Sequence, residues 1–210
     1  MVDFEDLKVY LPHYLADESL NAMFEDIKKF VSTGGSHDIY TTELKKENQI
    51  FQGDALNDMP FITFPYDSEP VNCKVLVLSN SCDISTDNPH PFDSHIVYAP
   101  IWRLSAYVEI LKANGINKER LINHISDIKS QVVTQILYLP QHEDGPDQDC
   151  IVFLDRICHC DNSFINRETL AERRLFSFGN YGFYLLLLKI SIHFTRIREK
   201  IDRDKGEILS

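Results

Sequence analysis

The sequence predicts an α+β fold: a small, highly curved barrel of short strands, flanked by N- and C-terminal helices. Three observations predict it. Short apolar runs bounded by Pro, Gly, Asp and Asn recur from Ile50 to Ile157. A helical pattern interrupts them over 103–130. Apolar residues at helical spacing return near both ends of the chain. The expected organisation is an N-terminal helical arm over 1–35, a barrel with its insertion over 50–160, and a C-terminal helical segment over 175–210 packed on the barrel.

Within the arm Asp17 can cap a helix that carries Leu20, Met23, Phe24, Ile27 and Phe30 on one face. Gly34-Gly35 stops it, and the polar residues 32–50 read as a linker or exposed loop. The first strand is Phe61 to Phe64, between Pro60 and Pro65. Val75-Leu76-Val77-Leu78 is continuously apolar, as in a strand covered on both faces. Ile96 to Ala99 forms the third strand, Val132 to Leu139 the fourth and Cys150 to Ile157 the fifth. In the insertion, Leu104, Tyr107, Val108 and Leu111 make one helical stripe, and Leu121, Ile125 and Ile128 make a second after Gly115. The final helix runs from about Gly182 to Arg203, with Phe183, Leu187, Ile190, Phe194, Ile197 and Ile201 as its packing stripe.

Charge narrows the partners. Lys and Arg total 21 against 32 Asp and Glu, a net charge of −11 over 210 residues. Sequence-blind binding of nucleic acid needs cations to neutralise phosphates, so this balance argues against it and leaves room only for a local basic patch. The acidic start, Met1 to Asp6, is unlike a secretory signal, and the greasiest stretch, Tyr181 to Phe194, is too short and too interrupted to span a membrane. Five cysteines, Cys73, Cys82, Cys150, Cys158 and Cys160, in a chain long enough to build a core, read as reduced and cytosolic.

The order of three segments is more specific. Gln52-Gly53-Asp54 precedes the first strand, Lys74 to Asn80 forms the second, and Val97-Tyr98-Ala99-Pro100-Ile101 forms the third. Over roughly 52–102 this resembles the PemK/MazF-like toxins, with their "GD" opening, "RPxxVLS" strand and "VxPxT" strand. The resemblance implies an SH3-like barrel and metal-independent cleavage of single-stranded RNA in a bacterial toxin–antitoxin setting. The family's arginine falls on Cys73 and its threonine on Trp102. Cysteine cannot stabilise a charged phosphorane-like transition state as arginine does. Lys74 and Arg103 are the substitutes, provided their side chains reach one cleft. The alternative is a non-catalytic binding or sensor module that uses the barrel as a scaffold for a protein partner or small ligand.

Other chemistry is weighed residue by residue. Cys82 and Asp83, in the polar turn Ser79 to Asp83 after the buried strand, form a candidate nucleophile and its orienting carboxylate; the plain alternative is a hydrogen-bonded turn. Lys189, His193, Arg196, Lys200 and Arg203 repeat at offsets of four and three, which predicts a cationic helix face for RNA or an acidic protein partner. Asp54, Asp58 and Asp83 offer a weak magnesium set, and Cys158-His159-Cys160 with Cys82, His90 and His95 a weak zinc set; neither has a diagnostic spacing, so no metal and no cofactor is assigned. Oligomerisation stays open.

Overall fold

The computed structural model describes residues 39–63, 69–88 and 91–194. The expected N-terminal arm, His90, and Arg196, Lys200 and Arg203 of the expected cationic face lie outside the described residues.

The chain is mixed α+β. In order it forms β1 (Tyr40–Thr41), β2 (Ala55–Phe61), β3 (Val71–Val77), β4 (His95–Arg103), α1 (Leu104–Ala113), α2 (Lys118–Lys129), β5 (Ile136–Leu139), β6 (Cys150–Phe153), β7 (Cys158–Asp161), α3 (Leu170–Arg173), β8 (Arg174–Phe178) and α4 (Asn180–Phe194). The strands pair in the order β1-β8-β2-β3-β4-β6-β5, with β7 also on β4, and every pairing is antiparallel. The sheet is open, with β1 and β5 at its ends. Among the described residues no helix is long and apolar enough to cross a membrane.

Alternation along the strands divides the core. Leu76, Ala99, Leu137, Leu139, Cys150, Val152, Phe176 and Phe178 face one side, where α4 covers them with Leu185, Leu186 and Leu188. On the other side Leu56, Val75, Val77, Ile96 and Tyr98 pack under Ile84, Ile165 and Leu170. Ile136, Tyr138, Ile151 and Phe153 pack with Leu104 of α1 and Ile128 of α2. The continuously apolar Val75 to Leu78 is therefore buried on both faces, as its composition predicts.

β4 is the hub. Its first half pairs β7 and its second half pairs β6. Tyr98 lies opposite Cys158 and Ile101 opposite Val152, so three steps along β4 match six along its neighbour. Residues 154–157 bulge out of the ladder there. The bulge ends the expected strand Cys150 to Ile157 at Phe153, and a further strand, β7, begins just beyond it at Cys158. Its Arg156 lies over the rings of Phe153, at 4.0 Å, and Trp102, at 5.1 Å.

Four further expectations are corrected. The first long strand is Ala55–Phe61, not Phe61 to Phe64; Asp58 takes a positive φ of 58° where the β2–β3 register shifts, so a bulge hides the strand period. β5 begins at Ile136, because Gln131, with φ of 60°, turns the chain after α2. Residues 39–50 are not a plain linker: Ile39, Tyr40 and Ile50 are buried, and β1 pairs β8. Finally, the buried side of α4 is Leu185, Leu186, Leu188 and Lys189, while Phe183, Leu187 and Ile190 are half-buried. The period was legible but not the face, because the first half of α4 is apolar almost all round.

Lys189 accordingly lies inside the fold. It is 3% exposed, and its Nζ donates to the carbonyls of Gln131 at 3.0 Å and Val133 at 2.6 Å. It ties α4 to the turn that precedes β5. Burial pulls its ammonium down to about 7. The unfolded chain, with an ordinary lysine, holds that proton up to about pH 10. Folding therefore releases a proton above pH 7, and stability rises with pH through that window. The native chain should gain about 1.5 kcal/mol between pH 7 and 8.5, and Lys189→Met should flatten the profile. Urea melts at the two pH values check this; an unchanged slope in the variant refutes it.

Candidate functional site

The two cations expected to replace the family's catalytic residues each lie one residue after the position they replace: Lys74 after Cys73, Arg103 after Trp102. One step along a strand turns a side chain to the opposite face. Cys73 packs against the cluster around Tyr98, and Trp102 against the one around Phe153. Lys74 and Arg103 turn away from them together, onto the α4 side. Arg103 pairs Cys150 in register, and both cations act on the Cys150 thiol, opposed by Asp147 and Asp149. Burial dominates all of these and pushes the thiol up to about 11, so Cys150 stays a neutral packing group. Both cations are exposed. Arg103 is free of a capping role, since it makes no side-chain bond at the start of α1.

The other candidates do not join them. Cys82 and Asp83 are exposed on the turn after β3. That turn is pinned at several points. The Cys82 N–H donates to Asn80 Oδ1 at 2.9 Å, Asn88 Nδ2 donates to the Cys82 carbonyl, and the Gln52 N–H donates to Ser81 Oγ at 2.9 Å. Ile84 anchors it in the core. Lys189 is buried, and His193 is half-buried beside Phe194 with ring centroids 4.8 Å apart, so neither stands on an open cationic face.

The magnesium set dissolves for a different reason. Asp58 and Asp83 are exposed, but Asp54 is wholly buried. Its Oδ2 accepts from the Phe51 N–H at 2.9 Å and Arg174 Nε at 3.1 Å, and its Oδ1 from Ser177 Oγ at 2.6 Å. The Arg174 guanidinium then reaches the carbonyls of Leu44 at 2.6 Å, Glu47 at 2.8 Å and Gln49. Burial raises the Asp54 carboxyl, against the pull of Arg174, Phe51 and Ser177. Gly53, at φ of 90°, sets this turn against the Phe178 ring, where a Cβ would meet Cδ2 at 2.8 Å. The Gly-Asp pair is thus a structural joint between the first turn and β8. Sequence reasoning missed Arg174 because β8 itself was missed; the alternation in Arg174-Leu175-Phe176-Ser177-Phe178 is blurred by three large apolar residues.

The zinc set is divided by the pleat. Cys158 and Cys160 point inward, with Cys158 Sγ donating to the Ile62 carbonyl at 3.3 Å. His159 points outward and meets His95. Among the described residues no three His, Cys, Asp or Glu side chains converge as metal ligands. The chain matches no protein-family profile and no curated protein.

Proposed function

We propose that the chain binds single-stranded RNA on the α4 side of β3 and β4, with Lys74 and Arg103 as its phosphate contacts. The strand register carries the reading: with Val75 opposite Pro100, Lys74 falls opposite Ile101, so Arg103 is its diagonal neighbour on the same face, and both cations are exposed. It concerns a local site in an acidic chain, and two cations on one sheet face can fix a phosphodiester without a basic surface overall. The SH3-like barrel of the PemK/MazF-like toxins is part of the same reading. The consecutive antiparallel pairing β2–β3–β4, which carries the Gly53-Asp54, Lys74 to Asn80 and Val97 to Ile101 segments, supports it. In its catalytic form the site is a metal-independent endoribonuclease whose cations have moved one residue along each strand.

The test is fluorescence anisotropy with single-stranded RNA at 50 and 200 mM salt, beside a cleavage assay with and without EDTA. Lys74→Ala with Arg103→Ala should weaken binding about tenfold or more and reduce the salt slope by about 2. Unchanged binding in the double variant refutes the reading. The alternative, a non-catalytic binding or sensor module, is favoured by the pinned turn that presents Cys82 and Asp83 to solvent. RNA binding without cleavage points to the module.

A further inference from the structure

The N-terminal end of β4 holds a second constellation, on the same side of the pleat as Arg103 but eight residues away, roughly 25 Å along an extended strand. His95 opens β4 and His159 lies in β7. In the ladder His95 faces Asp161 and Val97 faces His159, so the two histidines are diagonal neighbours on one face. Their Nδ1 atoms are 3.2 Å apart, with ring centroids at 5.0 Å and planes at 71°. Both rings are exposed.

We infer that His95 and His159 form a two-imidazole site for a divalent transition-metal ion such as zinc. The observed separation carries the inference. Zinc binds imidazole nitrogen at about 2.0–2.1 Å in tetrahedral geometry, which places two nitrogen ligands about 3.3–3.4 Å apart. The rings already stand at that bite, sharing one N–H···N contact, so loading the ion needs the donor ring to move its proton from Nδ1 to its exposed Nε2, after which both Nδ1 lone pairs bind the metal with little movement.

The backbone holds both rings in place. Ser79 Oγ accepts from the Val97 N–H at 2.7 Å and lies 3.4 Å from the His95 carbonyl, which fixes the start of β4 to the end of β3. At the end of β7, Asp161 Oδ1 accepts from the Ser163 N–H at 2.7 Å and Ser163 Oγ at 2.6 Å. The Asn162 N–H donates to the Ser94 carbonyl at 3.0 Å, and Asn162 Nδ2 to Ser94 Oγ at 2.8 Å. Asp161 also lies within electrostatic reach of His95, which adds a negative field beside the ion. With two protein donors the remaining coordination positions fall to water or to a ligand atom, as in open rather than structural zinc sites. This inference does not depend on RNA binding, which uses the other end of β4.

Calorimetric titration of the full chain with zinc chloride tests it, in a Cys82→Ser background that removes the exposed thiol. One ion per chain should bind, with half-saturation on the order of 10 µM, well short of a four-ligand site. His159→Gln should weaken binding at least tenfold. In the unsubstituted chain, zinc should shift the NMR signals of the His95 and His159 ring protons. Affinity unchanged in His159→Gln, binding abolished by Cys82→Ser alone, or histidine signals that stay put while zinc binds would each overturn the assignment. The last readout needs no variant, so it stands even if His159→Gln folds poorly.

Discussion

Arg174→Ala is expected to cost about 3–5 kcal/mol of folding stability, the largest effect of any single substitution considered. The guanidinium is 4% exposed and is the only counterion bonded to the wholly buried Asp54 among the described residues. Removing it strands a carboxylate in the core and releases the carbonyls of Leu44, Glu47 and Gln49 together. Asp54, already pushed up by burial, would take a proton rather than remain an unpaired anion. The midpoint of thermal unfolding should fall by about 6–20 °C for a chain of this size. The residues act as a unit, so the loss in Asp54→Asn with Arg174→Met should be smaller than the sum of the two single losses. Strict additivity in that cycle would show that the pair is not coupled. A melting point within 2 °C of the native chain in Arg174→Ala would refute the assigned role.

Gly182→Ala is expected to destabilise by about 2 kcal/mol or more, although alanine is the better helix former by about 1 kcal/mol. The reason is backbone against backbone. A Cβ on Gly182 would run into the carbonyl oxygen of Ile39 and approach Phe178 Cγ at 3.0 Å. The same carbonyl accepts from the Gly179 N–H at 2.9 Å, so it cannot swing aside without breaking the joint that starts α4. The helix would have to lift, exposing Tyr181 and Leu185 from the core they share with β8. Urea denaturation checks this. An unchanged midpoint means that the entry of Ile39 is not what holds α4 down.

The parts of this fold that were legible are those where one local signal decides. Val75 to Leu78 announces a strand buried on both faces, and the stripes of 104–111 and 121–128 announce two helices, which form over Leu104–Ala113 and Lys118–Lys129. The alternation of Cys158, His159 and Cys160 gives the correct faces. What stayed hidden depends on partners far away in the chain. β8 makes sense only once Phe176 and Phe178 pack on Tyr40, with ring centroids at 5.1 and 6.0 Å. Lys189 reads as one step of a basic stripe, because nothing near it in sequence foretells the two carbonyls that enclose it. Of the candidate site, what was legible is that Lys74 and Arg103 lie on consecutive strands. That both turn to the α4 face, away from Cys73 and Trp102, needed the strand register.

The Asp54–Arg174 joint also governs how the chain comes off the ribosome. Its two ends are 120 residues apart, and the carbonyls that Arg174 gathers lie up to 130 residues before it. At about 5–20 residues per second, some 6–24 s pass between synthesis of the first end and arrival of the second. Through that interval β2 has β3 on one side but not β8 on the other, and Asp54 sits without its cation beside an unpaired strand edge. Long-range closure of this kind slows folding. The nascent chain therefore carries an open, apolar-flanked edge until the 120 residues between Asp54 and Arg174 have been made. The last strand removes it, and that strand brings the arginine which neutralises the carboxylate at the moment it is buried.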